Sequence, residues 1–195
     1  MKSPSVPYSV ENYREELGRT LNRMDASAIN RAIEMIRATW MADKQIFTCG
    51  NGGSASTASH YITDWGKMAC LATGRPLRGY CLNDNIGMLT AYGNDFSYAE
   101  TFAKSVENYA RPGDLVIVVS GSGNSKNVVL ALESAHRVGA ATLAVCGYDG
   151  GAVRRLARHA VWCPSFDMQL CEDAHLVFGH MVMKALCNSP VTVGP

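Results

Sequence analysis

Apolar residues recur at helical spacing through the first forty positions. Tyr13, Leu17, Leu21 and Met24 form one stripe, and Ile29, Ile33, Ile36 and Trp40 form a second. Met24-Asp25-Ala26-Ser27 separates them, with Asp25 or Ser27 placed to cap the second helix. The pattern predicts a helical hairpin whose apolar faces need cover, either from the rest of the chain or from another subunit. From residue 45 the pattern changes to short β-rich runs at 45–49, 78–82, 115–120, 141–146 and 160–164. Helical stretches near 54–64, 97–110, 126–138, 151–158 and 167–187 alternate with them. Leu115-Val116-Ile117-Val118-Val119 is apolar without a break, as in a central strand buried on both faces. The alternation predicts one α/β domain over 1–195, with the hairpin in 1–42 and a doubly wound, five-stranded parallel sheet in 43–195.

Two of the β-rich runs end alike. Ile46-Phe47-Thr48-Cys49 leads into Gly50-Asn51-Gly52-Gly53-Ser54, and Ile117-Val118-Val119 leads into Ser120-Gly121-Ser122-Gly123-Asn124-Ser125. Each loop then opens a helix, at the carboxyl edge where open α/β sheets bind ligands. Glycine lets the backbone approach a ligand, while serine hydroxyls and helix N-terminal amides donate to anionic oxygens. The loops match neither a P-loop nor GxGxxG. A pair of tight βα turns is the plainer alternative, but two such loops at one edge favour phosphate or sugar.

Three further groups carry candidate chemistry. His60 and Asp64, four apart on the helix opened by the first loop, share a face and could ligate one metal ion, or simply form a polar surface. Glu172, Leu176 and His180 lie on one i, i+4, i+8 row of a mostly apolar helix. His175 sits on a neighbouring face of that helix, and a satisfied core histidine is the alternative to a site there. Asn94-Asp95 precedes a helical stretch, where a cap is the default reading and a contact to a sugar hydroxyl the sharper one.

Composition narrows the partners. With 18 basic and 17 acidic residues the formal net charge is +1, which gives no bulk attraction for nucleic acid or an anionic membrane. No apolar run approaches the roughly 18–20 residues of a membrane span, and the N-terminus lacks the apolar stretch of a secretion signal. Seven cysteines, odd in number and without a CxxC pair, predict free thiols in a reducing cytoplasm.

Taken in order, the loop at 50–54, His60, Asn94-Asp95, the loop at 120–125 and His175 with His180 resemble the sugar isomerase (SIS) domain family, above all its phosphoheptose isomerases. The likeness runs over essentially the whole chain. It implies a homotetramer with active sites between subunits and a divalent metal, usually zinc, one per subunit. It implies conversion of sedoheptulose 7-phosphate to D-glycero-D-manno-heptose 7-phosphate, an early step toward heptose for surface glycans such as lipopolysaccharide or capsule. By position, Asn51, Gly52, Gly53, Ser54, Asn94, Asp95, Ser120, Gly121, Ser122 and Ser125 would contact the sugar phosphate. His60, Asp64, Glu172 and His180 would hold the metal, with Asp64 and Glu172 also touching substrate and with Asp64 and His180 catalytic. Two positions depart from the family pattern, which has Glu in place of Asp64 and Gln in place of Glu172. They leave open an isomerase for another ketose phosphate. A SIS protein that binds phosphosugar or a replication initiator without turnover is the remaining alternative.

Overall fold

A computed structural model describes residues 8–190; the outer ends of the predicted domain, 1–7 and 191–195, lie outside the described residues. The hairpin forms as α1 (Val10–Arg23) and α2 (Ala26–Met41). Ser9 caps α1 by accepting from the Asn12 amide at 3.1 Å, and Asp25 caps α2 by accepting from the Ser27 amide at 2.8 Å. Asp25 is thus the cap, and Ser27 lies inside the helix.

Five strands follow: β1 (Ile46–Gly50), β2 (Gly79–Cys81), β3 (Leu115–Ser120), β4 (Ala141–Cys146) and β5 (His159–Trp162). They pair in the order β2-β1-β3-β4-β5, every pair parallel, with Ile46 opposite Leu115 and Cys49 opposite Val118. The helices between and after them are α3 (Gly53–Thr73), α4 (Ile86–Asp95), α5 (Thr101–Tyr109), α6 (Lys126–Arg137), α7 (Gly151–Leu156) and α8 (Met168–Cys187). Alternate side chains of the sheet feed two cores. Leu115, Ile117 and Val119 pack toward α2, α3 and α8, while Val116 and Val118 pack toward α5, α6 and α7.

One helix has no counterpart in the sequence pattern. α4 occupies a stretch to which the pattern assigns no element, capped by Asn85, which accepts from the Met88 amide at 3.1 Å. None of its residues is fully buried and Leu89 packs against a core, so Ile86, Leu89 and Tyr92 make only a short stripe for periodicity to detect. Asn94-Asp95 therefore ends a helix instead of capping the next one. That next helix begins only at Thr101, after a 3-10 turn at Tyr98–Glu100.

Helices α3 and α8 lie side by side on one face of the sheet. Trp65 Nε1 donates to the Gly179 carbonyl at 2.9 Å, and the Tyr61 hydroxyl donates to the His175 carbonyl at 2.5 Å. The Tyr61 and Trp65 rings stack with centroids 4.8 Å apart. A Cβ on Gly179 would lie 2.5 Å from Tyr61 Cδ1, so the ring occupies the space a side chain would need. Tyr61 cannot yield, because its stacking and its hydroxyl bond both fix it.

His175 projects into this core, fully buried, with neither ring nitrogen hydrogen-bonded. Burial pushes its pKa down to about 4, with the Cys146 backbone offsetting only part of that effect. It is a neutral core histidine rather than a ligand.

Two outcomes follow from this packing. Gly179→Ala gains helix propensity worth about 1 kcal/mol but collides with a fixed ring, so a net loss of about 1–3 kcal/mol is expected in urea unfolding. A variant as stable as the parent would show that Tyr61 does yield. For His175 the folded pKa of about 4 lies below the unfolded value near 6.5. Its contribution is intact above pH 6.5 and drains away as pH falls toward 4. Between pH 7 and pH 5 the parent should lose about 2 kcal/mol more stability than His175→Leu, and parallel pH profiles for the two would refute this.

Candidate active site

Strand order reverses between β1 and β3, and the two Gly/Ser loops leave the carboxyl ends of those two strands. A crevice opens there because the chain winds away from it on both sides. It holds a cavity of about 260 Å³ lined by Asn51, Gly52, Gly53, Ser54, Ser120, Gly121, Ser122, Ser125 and Glu172. These are nine of the residues placed against substrate by the resemblance. Val119 and Met168 complete the wall. Met168, the first residue of α8, is a lining residue that sequence reasoning did not find; its sulfur sits over Gly121.

Three helices begin at this cavity, but they do not present the same chemistry. The N-cap of α3 is Gly52, with φ of 55°, a conformation glycine adopts without strain; it has no side chain to cap the helix. The N-cap of α6, Ser125, makes no capping hydrogen bond. Neither N-cap side chain covers its helix, although the Ser54 and Ala55 amides bond the Asn51 and Gly52 carbonyls and the Val128 amide bonds Asn127 Oδ1; both helices turn their positive dipole ends to the crevice. On α8 the Asp167 carboxylate already accepts from the Gln169 amide at 3.0 Å and the Leu170 amide at 3.1 Å. Of the three ends, α6 carries no capping carboxylate, while Glu172 stands against Gly53 at the start of α3. Among the described residues lining the cavity none is Lys or Arg.

The Glu172 carboxylate lies flat on Gly53, where a Cβ would fall 2.7 Å from its Cδ. It therefore forms one wall of the cavity. Eight residues along α8, about 12 Å at 1.5 Å per residue, stands His180. There His60 and Asp64 of α3 meet it. Asp64 Oδ2 is 3.1 Å from His60 Nε2 and 3.6 Å from His180 Nε2, and the two imidazole nitrogens are 3.2 Å apart.

Two half-exposed imidazoles and one carboxylate, with ligating atoms all within 4.8 Å of one another, form a possible metal-binding group. The donor set suits a tetrahedral divalent ion that keeps an open position. Glu172, placed among the ligands by the resemblance, is not part of this group. His60 also borders a second, more open cavity of about 490 Å³, with Ser56, Ser59, Thr63, Asn83 and Asp84, which gives the group an approach from solvent.

Asn94 and Asp95 are not brought to either cavity of this chain. They are exposed at the end of α4, where Asn94 Nδ2 donates to Asp95 Oδ1 at 2.9 Å.

Comparison with known proteins follows the same outline. The SIS domain family profile matches residues 12–147, which include both loops, His60 and Asp64 but end before Glu172 and His180. The chain is 36% identical to a phosphoheptose isomerase of Chlorobaculum parvum, over 88% of this chain and 83% of that one. It is 35% identical to one of Akkermansia muciniphila, over 82% of this chain and 84% of that one. The solved phosphoheptose isomerase of Neisseria gonorrhoeae superposes with a TM-score of 0.83 at 28% identity, covering 91% of this chain and 96% of that one. On the match of sequence and fold together, the chain belongs to the SIS domain family, in the branch that holds the phosphoheptose isomerases.

Proposed function

We propose that this protein interconverts a ketose phosphate and an aldose phosphate, with sedoheptulose 7-phosphate and D-glycero-D-manno-heptose 7-phosphate as the pair. The observation that carries the reading is the pairing of an amide-lined crevice with a His–Asp–His group on the same two helices. The phosphate would lie at the α6 end, among the serine hydroxyls of the 120–125 loop. The carbonyl end would reach toward His60, Asp64 and His180. Gly53 and His60 are separated by seven residues of helix, about 10 Å, which suits a long-chain sugar phosphate.

Asp64 is assigned as the base that takes a proton from the hydroxymethyl carbon beside the ketone and returns it to the former carbonyl carbon. His180 takes the proton of the adjacent hydroxyl and delivers it to the carbonyl oxygen. The sum is an aldose, with no net change in protons or electrons. His60, Asp64 and His180 would hold a divalent ion, zinc by the character of the donors. Bound there, the ion would polarise the carbonyl and steady negative charge on oxygen.

Assembly and setting belong to the same proposal. Leu71, Ile86, Phe96 and Phe166 are each more than half exposed, which supports burial between copies of the chain. A homotetramer with active sites between subunits would give those residues cover, and would let Asn94 and Asp95 serve a neighbouring site. Seven free cysteines support a cytoplasmic setting.

Asp64→Asn keeps the size of the side chain but removes the base. Its turnover of sedoheptulose 7-phosphate should fall by about a hundredfold to ten-thousandfold, while calorimetric binding of the sugar phosphate stays within about threefold. Unimpaired turnover would remove Asp64 from the chemistry. In equilibrium dialysis the parent should retain about one zinc per chain and His180→Ala should not. Equal retention by both would place the metal elsewhere.

A further inference from the structure

Asn51 reaches the crevice from the first loop, yet its side chain is largely spoken for. Its Nδ2 donates to Asn127 Oδ1 at 2.9 Å, and its Oδ1 accepts from Asn127 Nδ2 at 2.8 Å. The same Oδ1 accepts from the Tyr98 hydroxyl at 2.7 Å. Asn127 lies on α6 and is 2% exposed; it is not among the residues lining the crevice. Tyr98 stands on the 3-10 turn after α4, with its ring exposed.

The orientation of these amides is dictated by the backbone. The Val128 N–H, which can only donate, lies 3.0 Å from Asn127 Oδ1, so that atom must be the oxygen. Asn127 then presents NH₂ to Asn51, and Asn51 must answer with its own oxygen. Tyr98 consumes the second lone pair of that oxygen. Of the four hydrogen-bonding positions on the Asn51 side chain, three are filled, and the one remaining is an N–H. A freely rotating asparagine would offer donor or acceptor equally; this one is set to offer a donor only.

We propose that Asn127 is a positioning residue, assisted by Tyr98, that locks the Asn51 amide so that the crevice presents an N–H to the ligand. The inference rests on the sugar-phosphate reading for its ligand. A phosphate or sugar oxygen accepts from that N–H, whereas a flipped amide would aim an oxygen at it. Asn127→Asp breaks the lock chemically without changing its shape. A carboxylate has no N–H to give, so it faces Asn51 Oδ1 with an oxygen, and no rotation of Asn51 restores both bonds. Tyr98→Phe removes one hydroxyl at an exposed site and leaves the Asn127 pair intact.

The test is a double-mutant cycle with sedoheptulose 7-phosphate. Asn127→Asp should raise KM about tenfold and Tyr98→Phe about threefold, with kcat within about twofold of the parent. In an Asn51→Ala background neither substitution should raise KM further, because both act through that one amide. Effects that persist undiminished in that background would overturn the inference. If Asn127→Asp does not fold, Tyr98→Phe decides the question by the same cycle. Should the parent show no turnover, the isomerase reading fails separately. The lock is then read from the Asn51 side-chain NH₂ resonances in ¹⁵N-labelled protein. Those should move in Tyr98→Phe and Asn127→Asp, and unmoved resonances would overturn it.

Discussion

Helices α3 and α8 can lie in contact along their length because position 179 carries no side chain. The Tyr61 ring fills the space a Cβ would need, and Trp65 reaches past it to the Gly179 carbonyl. That contact does more than close a core. Seven residues separate Gly53 from His60 on α3, and eight separate Glu172 from His180 on α8. Gly53 meets Glu172 and His60 meets His180, so the two helices run parallel and in step. A shift of one helix by a turn, about 5.4 Å, would separate both pairs at once. The crevice and the His–Asp–His group are therefore consequences of a single packing geometry.

The near-neutral chain also explains what kind of anion site this is. A cationic surface would attract any polyanion and would be weakened by salt, since exposed charges are screened beyond about 8–10 Å. Amides at the ends of α3 and α6 act only at contact range and in fixed directions. Glu172 reinforces this selectivity. An acidic wall beside Gly53 disfavours a second negative group there and favours hydroxyls, which can donate to it. A negative group is thus disfavoured at Gly53, the first residue of α3, which leaves the α6 end for it.

Much of this was legible in the sequence because its signals are local. Leu115-Val116-Ile117-Val118-Val119 announced a central strand, and β3 and β4 begin and end where the pattern placed them. The two Gly/Ser loops lie on either side of the crevice because each follows its strand directly. What was not legible depended on contacts between distant segments. α4 is only ten residues long and buries none of them fully, so its short stripe of Ile86, Leu89 and Tyr92 was a weak signal. Met168 is an ordinary first-turn residue until α8 is laid across the β3 loop. The i, i+8 row put Glu172 and His180 on one face, but not which of them would meet His60. His175 could be weighed only once its burial was known, since the same residue type serves as ligand or as core.

Asp64 shows how a short carboxylate can reach two histidines. Relative to glutamate its carboxylate falls short by one methylene, and a displacement of about 1 Å is enough to spoil a catalytic arrangement. Yet a single oxygen of Asp64 lies within 3.6 Å of both histidines. His60 lies four residues before Asp64 on the same helix, and His180 is brought beside both by the contact of α3 with α8. Gly179 adjoins His180 in the chain, and the ring that fills its missing side chain belongs to Tyr61, three residues before Asp64. The contact that holds α3 against α8 thus lies within about a turn of all three groups. The Asp64 carboxylate meets His180 only while that contact holds, so the two features act as one unit.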